Sequence, residues 1–250
     1  MWLVLCDDLD ASARWVYDGL RQRSVPAEFV PASILSRSVR WVHRIGSEGA
    51  CVEVVLPDGR CITSAAVHGT LNRMVGLWPA PTYAASPDSE YALQELLAMY
   101  VSLLQCLPPP MLNRPTPQGL SGRLRYTPDW LVLAARAGFA TASYAVASRD
   151  ADLRHGEPHR SQVTVPAAAE RHSVVVAAGR VFGDPLSARA GTAACRLARL
   201  AEVDLLGLRL ATVRNDDTWF EAADLYPDLR TAGSGLLDHL AGLAPGEPPT

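Results

Sequence analysis

Two asparagine–arginine pairs, Asn72-Arg73 and Asn113-Arg114, each close a short apolar run with the character of a β-strand. Strands of one sheet can bring two such guanidiniums to a single crevice, where planar forks suit bidentate recognition of a carboxylate or phosphate. The competing role is structural, with each arginine held by backbone carbonyls or by a carboxylate of the chain itself. Asp7, Asp8 and Asp10 follow the first apolar run, Trp2 to Cys6. Ligands of open α/β sheets bind beyond strand C-termini, which makes Asp7 and Asp8 candidate contacts; the plainer role is a helix cap and first turn. A third group, Asp150, Asp152, His155, Glu157, His159 and His172, is the densest titratable cluster in the chain. Its spacing fits no metal motif, and residues 151–161 read instead as a polar connector.

Other signatures of chemistry are missing. No serine sits in a GxSxG elbow, and neither GxGxxG nor GxxxxGK[ST] occurs. His68 reads as an ordinary strand residue. The five cysteines are scattered without CxxC or Cys/His spacing and are expected to be small buried hydrophobes. The six tryptophans are expected in the core, with Trp41 and Trp78 as candidates for an exposed interface. All 23 basic residues are arginine; the chain has no lysine. A net charge of -3 and a pI near 6.1 give no global positive field for nucleic acid. No apolar stretch reaches the ~20 residues of a membrane span, and the amino terminus lacks the basic region of a signal peptide. The expectation is a cytoplasmic protein.

The elements that must position these groups follow from periodicity and punctuation. Strand 2–6 leads through an Asp-rich turn into a helix over 11–23 with Trp15, Val16 and Leu20 at helical spacing. Glu28–Val30 is a second strand, and 39–67 alternates as two or three more around Gly-rich turns. A helix from Ser89 stops at Pro108-Pro109-Pro110, and Met111-Leu112-Asn113 is a strand. Thr127-Pro128 opens a helix that Gly138 closes. A hairpin over 173–182, a helix over 188–200, strands at 206–213 and 219–222, and a helix over 234–243 complete an α/β pattern.

In this order, Val67-His68-Gly69-Thr70-Leu71-Asn72-Arg73, Met111-Leu112-Asn113-Arg114-Pro115, Ala135-Arg136-Ala137-Gly138-Phe139, Gln162-Val163-Thr164-Val165-Pro166 with 172–183, and Trp219-Phe220-Glu221 to Pro227-Asp228-Leu229 resemble the successive motifs of ATP-grasp enzymes of the glutathione-synthetase and ribosomal-protein-glutamate-ligase type. The resemblance implies an α/β fold: a preATP-grasp-like N-terminal α/β domain over 1–115 and a reduced ATP-grasp α+β core over 116–250.

Three departures shape the function it implies. The family's nucleotide-clamping lobe falls where this chain has only the connector 151–161, too short for a sheet of three or more strands. The lysines that hold ATP phosphates in the family have no counterpart. The family's Glu and Asn ligands to Mg²⁺ align with Ala222 and Asp224, and Glu221 is one residue out of place unless a β-bulge restores it. The expectation is a degenerate member, without bound ATP or Mg²⁺, that binds a peptide, a protein or a small anion as a homodimer or as companion to an intact ligase. The alternatives are an active carboxylate-amine ligase in which arginines replace lysines and a partner chain completes the clamp, and an ATP-independent enzyme using the remaining crevice.

Overall fold

The computed structural model describes residues 1–47, 49–76, 87–142, 144, 169–213 and 217–243. The connector 151–161, the 162–166 segment, Trp78 and the acidic and histidine residues at 150–159 lie outside them. The chain forms two compact units, 1–123 with 233–250, and 124–232. The sequence reading put everything after residue 115 into one domain. The last helix instead belongs to the first unit.

The first unit is built on a parallel sheet of order β2-β1-β6-β7, with β1 Trp2–Cys6, β2 Ala27–Pro31, β6 Gly69–Arg73 and β7 Met111–Leu112. β1 and β6 are buried along their whole length, as expected of parallel strands covered on both faces. Helix α1 (Ala11–Gln22) starts where Asp10 accepts a hydrogen bond from the Ala13 backbone N–H at 2.9 Å, and it buries Ala13, Val16 and Leu20. The last helix, α6 (Ser234–Leu243), packs on α1, with Leu237 so close that a Cβ at Gly19 would lie 2.4 Å from it. An antiparallel sheet of β3 (Arg40–Gly46), β4 (Gly49–Val55) and β5 (Cys61–Thr63) shares a core with helix α3 (Ser89–Gln105), including Leu3, Leu5, Val52, Val54 and Tyr100. Trp41, expected at an exposed interface, is half-buried with its ring 5.4 Å from that of Tyr100. A short helix, α2 (Ala32–Leu35), had no counterpart in the sequence reading.

The second unit is an antiparallel sheet of order β11-β10-β8-β9: β8 Glu170–Ala177, β9 Arg180–Gly183, β10 Leu205–Thr212, β11 Thr218–Asp224. Ala178 and Gly179 both take positive φ, 45° and 78°, the conformation of a two-residue hairpin turn. Two helices supply the core on one face. α4 (Thr127–Ala137) ends at Gly138 with φ 111°, and α5 (Ala188–Leu200) is capped by Ser187. Leu206, Leu208 and Leu210 alternate toward these helices with Val174, Val176 and Phe220. Arg209 therefore faces the other way.

Burial corrects the cysteine expectation: Cys6 alone is buried, Cys106 and Cys195 are half-buried, and Cys51 and Cys61 are exposed. Trp2 and Trp130 are core residues, while Trp15 and Trp219 are half-buried.

Candidate functional site

At the carboxyl edge of the parallel sheet, register brings the Asx and Arg candidates of the first unit together. Cys6 lies beside Arg73, and the β6–β7 pairing of Leu71 with Leu112 sets Asn72 next to Asn113. Asn72 is fully buried. Its amide donates to the carbonyls of Asn113 (2.8 Å) and Leu120 (2.7 Å), while its oxygen accepts from the Met74 N–H and the Ser121 hydroxyl. This side chain ties β6 to the segments that follow β7, and none of its polar capacity points to a ligand. Asn113 holds φ +63°, a left-handed turn that asparagine tolerates, and so ends β7.

Arg73 is committed as well. Its side chain is 5% exposed, and it donates from Nε to Asp10 Oδ2 at 2.6 Å and from Nη2 to Asp10 Oδ1 at 3.4 Å; Asp10 itself is 13% exposed. The carboxylate that caps α1 thus also neutralises the arginine at the end of β6. Of the two roles open to Arg73 from sequence, the pairing with a carboxylate is the one the geometry displays. Arg114 differs: it is half-buried, and among the described residues it makes no hydrogen bond or ion pair.

Asp7 and Asp8 sit beyond β1. Asp7 accepts from the Val75 N–H at 3.4 Å, and burial, with the neighbouring Asp10 and Asp8 charges, holds its carboxyl above the usual carboxylate range against the pull of Val75 N–H and Arg73. Asp8 accepts from the Ser33 hydroxyl. His68 is exposed just before β6, with Nδ1 3.3 Å from the terminal amine.

In the second unit the pairing of β10 with β11 slips once. Arg209 pairs with Ala222 and Leu210 with Phe220, leaving Glu221 as an extra, bulged residue. Glu221 and Asp224 then lie with Arg209 on the face turned away from the helices. The Glu221 carboxylate accepts from Arg171 Nε at 3.2 Å, and Asp224 Oδ1 accepts from the Tyr226 N–H at 2.8 Å. His172 is buried in β8, and the residues grouped with it by sequence at 150–159 lie outside the described ones.

No family model matches the chain, and no curated protein matches it. Solved structures do. The chain is similar to a RiPP-associated ATP-grasp ligase of Chryseobacterium gregarium in complex with ADP and a leader and core peptide, with a TM-score of 0.74 at 9% identity over 99% of this chain and 97% of that one. The chain has the ATP-grasp fold. Two more structures share it at the same scale: macrocyclase MdnC of Microcystis aeruginosa bound with precursor peptide MdnA (TM-score 0.69, 10% identity, 98% and 99% coverage), and ATP-grasp ligase PsnB complexed with its minimal precursor (0.69, 13%, 97% and 99%). The mixed α/β architecture expected from the motif order is the one found.

The ATP-grasp fold implies Mg²⁺ and a nucleotide; the β-bulge that would restore Glu221 is present, so Glu221 and Asp224 share the open face. No group of three His, Cys, Asp or Glu side chains converges among the described residues. Glu221 is neutralised by Arg171, and one Asp224 oxygen is taken by a backbone N–H. Mg²⁺ keeps several waters and takes one or two carboxylates plus substrate phosphates, and the Arg171 guanidinium competes for one of the two carboxylates on this face. No helix among the described residues is long and apolar enough to cross a membrane.

Proposed function

We propose that this chain is a non-ligating ATP-grasp-fold protein that binds a peptide or a similar anionic ligand at the carboxyl edge of its parallel sheet, with Arg114 as the principal contact. The absence of lysine from all 250 residues carries the reading. Phosphoryl transfer works by holding cations where negative charge develops, and an ammonium placed on the phosphates is one of its standard parts. The solved structures of the same fold that hold precursor peptides make a peptide the first ligand class to test. The protein acts as a homodimer or as companion to an intact ligase in a biosynthetic pathway.

Thermal denaturation with Mg·ATP tests the first half. A ligand at a hundred times its Kd stabilises by about 2.7 kcal/mol, and the expected shift is none. A library of acidic peptides screened by fluorescence anisotropy tests the second, with binding weakened about tenfold in Arg114→Gln. A Mg²⁺-dependent shift accompanied by ADP or AMP release would replace this reading with that of an active ligase.

A further inference from the structure

One cluster of the first unit, away from the strand ends described above, joins a nucleophile, a base and a group that orients the base. Trp41 and His43 stand two residues apart on one face of β3, and on that face the β3–β4 hairpin packs on α3. Trp41 lies 5.4 Å from Tyr100. One turn further along the helix, Ser102 and the residue that ends it, Cys106, are four apart and therefore on one side. The His43 ring spans them: Nε2 is 2.8 Å from Cys106 Sγ, and Nδ1 is 3.1 Å from Ser102 Oγ. His43 is exposed and Cys106 half-buried, so the thiol is within reach of a small molecule.

The tautomer with its proton on Nδ1 satisfies both contacts. The ring then donates to Ser102 Oγ and accepts the thiol proton at Nε2, the arrangement of a general base held by an orienting partner. The thiol needs such a base. Burial, with the charge of Cys51, pushes Cys106 up, and its place at the C-terminus of α3 adds the negative end of the helix dipole. Arg40, Arg44, Cys51 and Glu53 stand on the other face of the hairpin, so their guanidiniums do not face the thiol; Tyr100, on α3, is itself held protonated by burial.

Of the chemistry open to a thiol beside an imidazole, two kinds are disfavoured. A metal needs further ligands, and no group of three His, Cys, Asp or Glu converges among the described residues. Acyl transfer passes through an oxyanion that N–H donors must stabilise, whereas the end of a helix presents carbonyls. Thiol–disulfide exchange forms no oxyanion and asks only for a thiol, a base, and an acid for the departing thiolate.

We infer that Cys106 exchanges with small-molecule disulfides to carry a reversible mixed disulfide, with His43 as base and then acid, because one imidazole bridges the thiol and a positioning hydroxyl at an accessible helix end. Cys106 Sγ attacks one sulfur of R–S–S–R as its proton passes to His43 Nε2. The S–S bond breaks, and the departing R–S⁻ takes that proton and leaves as R–SH. Cys106 is oxidised, the released sulfur is reduced, and the disulfide is the only reagent consumed. Ser102 is a positioning residue, acting through the His43 ring. The inference stands independently of peptide binding at Arg114.

Incubation of the intact chain with hydroxyethyl disulfide, with the rate at each cysteine read by peptide mass spectrometry, tests it. Cys51 and Cys61 react by exposure alone, so the mark of assistance is dependence on His43 rather than order of labelling. His43→Ala and His43→Gln should each slow modification of Cys106 about a hundredfold and leave Cys51 and Cys61 at their parent rates. Free imidazole should restore part of the rate to His43→Ala. Ser102→Ala should slow Cys106 about tenfold, and Ser102→Thr, which keeps the hydroxyl, should recover it. Both His43 variants are expected to fold, since the side chain is exposed, and continued protection of buried Cys6 reports that they have. An unchanged Cys106 rate in both His43 variants, or equal slowing at Cys51 and Cys61, overturns the inference. So does His43-dependent acylation of Cys106 by an acyl thioester without His43-dependent exchange, which would assign the site to acyl transfer.

Discussion

The ion pair between Arg73 and Asp10 makes the sharpest prediction about how the first unit is held together. The two charges are 63 residues apart in sequence and almost excluded from water, and they share two hydrogen bonds. Removing one partner of a buried pair costs about 3–5 kcal/mol, because the remaining charge is desolvated without compensation. Asp10 also caps α1, a role worth about 1 kcal/mol. Asp10→Asn keeps the cap, since asparagine is an equally good N-cap, and removes only the charge; it should destabilise by about 3 kcal/mol. Asp10→Ala loses both and should cost about 4 kcal/mol or more. Arg73→Met leaves a carboxylate that still accepts from Ala13 N–H and has some access to water, so its cost should be smaller, about 1–3 kcal/mol.

The decisive measurement is the double-mutant cycle. Urea unfolding followed by tryptophan fluorescence, with Trp2 in the adjoining strand as reporter, gives the four free energies. Asp10→Asn combined with Arg73→Met should cost about 2 kcal/mol less than the sum of the single changes, the signature of directly interacting groups. Additivity within about 0.5 kcal/mol would refute a coupled, desolvated pair, and would return Arg73 to the candidates for ligand contact.

Two further outcomes follow from the same edge and from burial. Asp7 is held above the carboxylate range chiefly by burial, so its ionised form opposes folding at neutral pH; Asp7→Asn should raise stability at pH 7, and the gain should disappear as pH falls below the ordinary carboxylate value of 3.8, where both states carry the proton. A pH series of urea midpoints that showed the gain growing toward low pH would contradict this. Native-state alkylation read by mass spectrometry should label Cys51 and Cys61 first and leave Cys6 untouched until unfolding, since burial pushes the Cys6 thiol up to about 12.

The elements whose signals are local were legible from sequence, and the contacts between distant elements were not. Helix α5 was placed at residues 188–200 from its period and α4 from Pro128 and Gly138, because caps and periodicity act within a few residues. The Arg73–Asp10 pair depends on β1 and β6 being neighbours with Cys6 beside Arg73, which no local pattern states. The bulge at Glu221 likewise needs the partner strand, since an extra residue is defined only by what it fails to pair with. The exposure of Cys51 is itself a local signal: Val52 and Val54 alternate inward along β4, which turns Cys51 outward.

The polar groups at the first unit's strand ends are largely committed to the fold. Asn72, Arg73, Asp8 and Asp10 all sit at a strand end where ligands of α/β folds bind, yet the hydrogen bonds they make are those of a scaffold. In the second unit Glu221 reaches the open face only to be neutralised by Arg171. Arg114 at the first unit's edge and Arg209 on the second unit's open face are among the described arginines that make no hydrogen bond or ion pair. An unmatched, half-buried guanidinium loses hydration without recovering hydrogen bonds, a state that a bound carboxylate relieves.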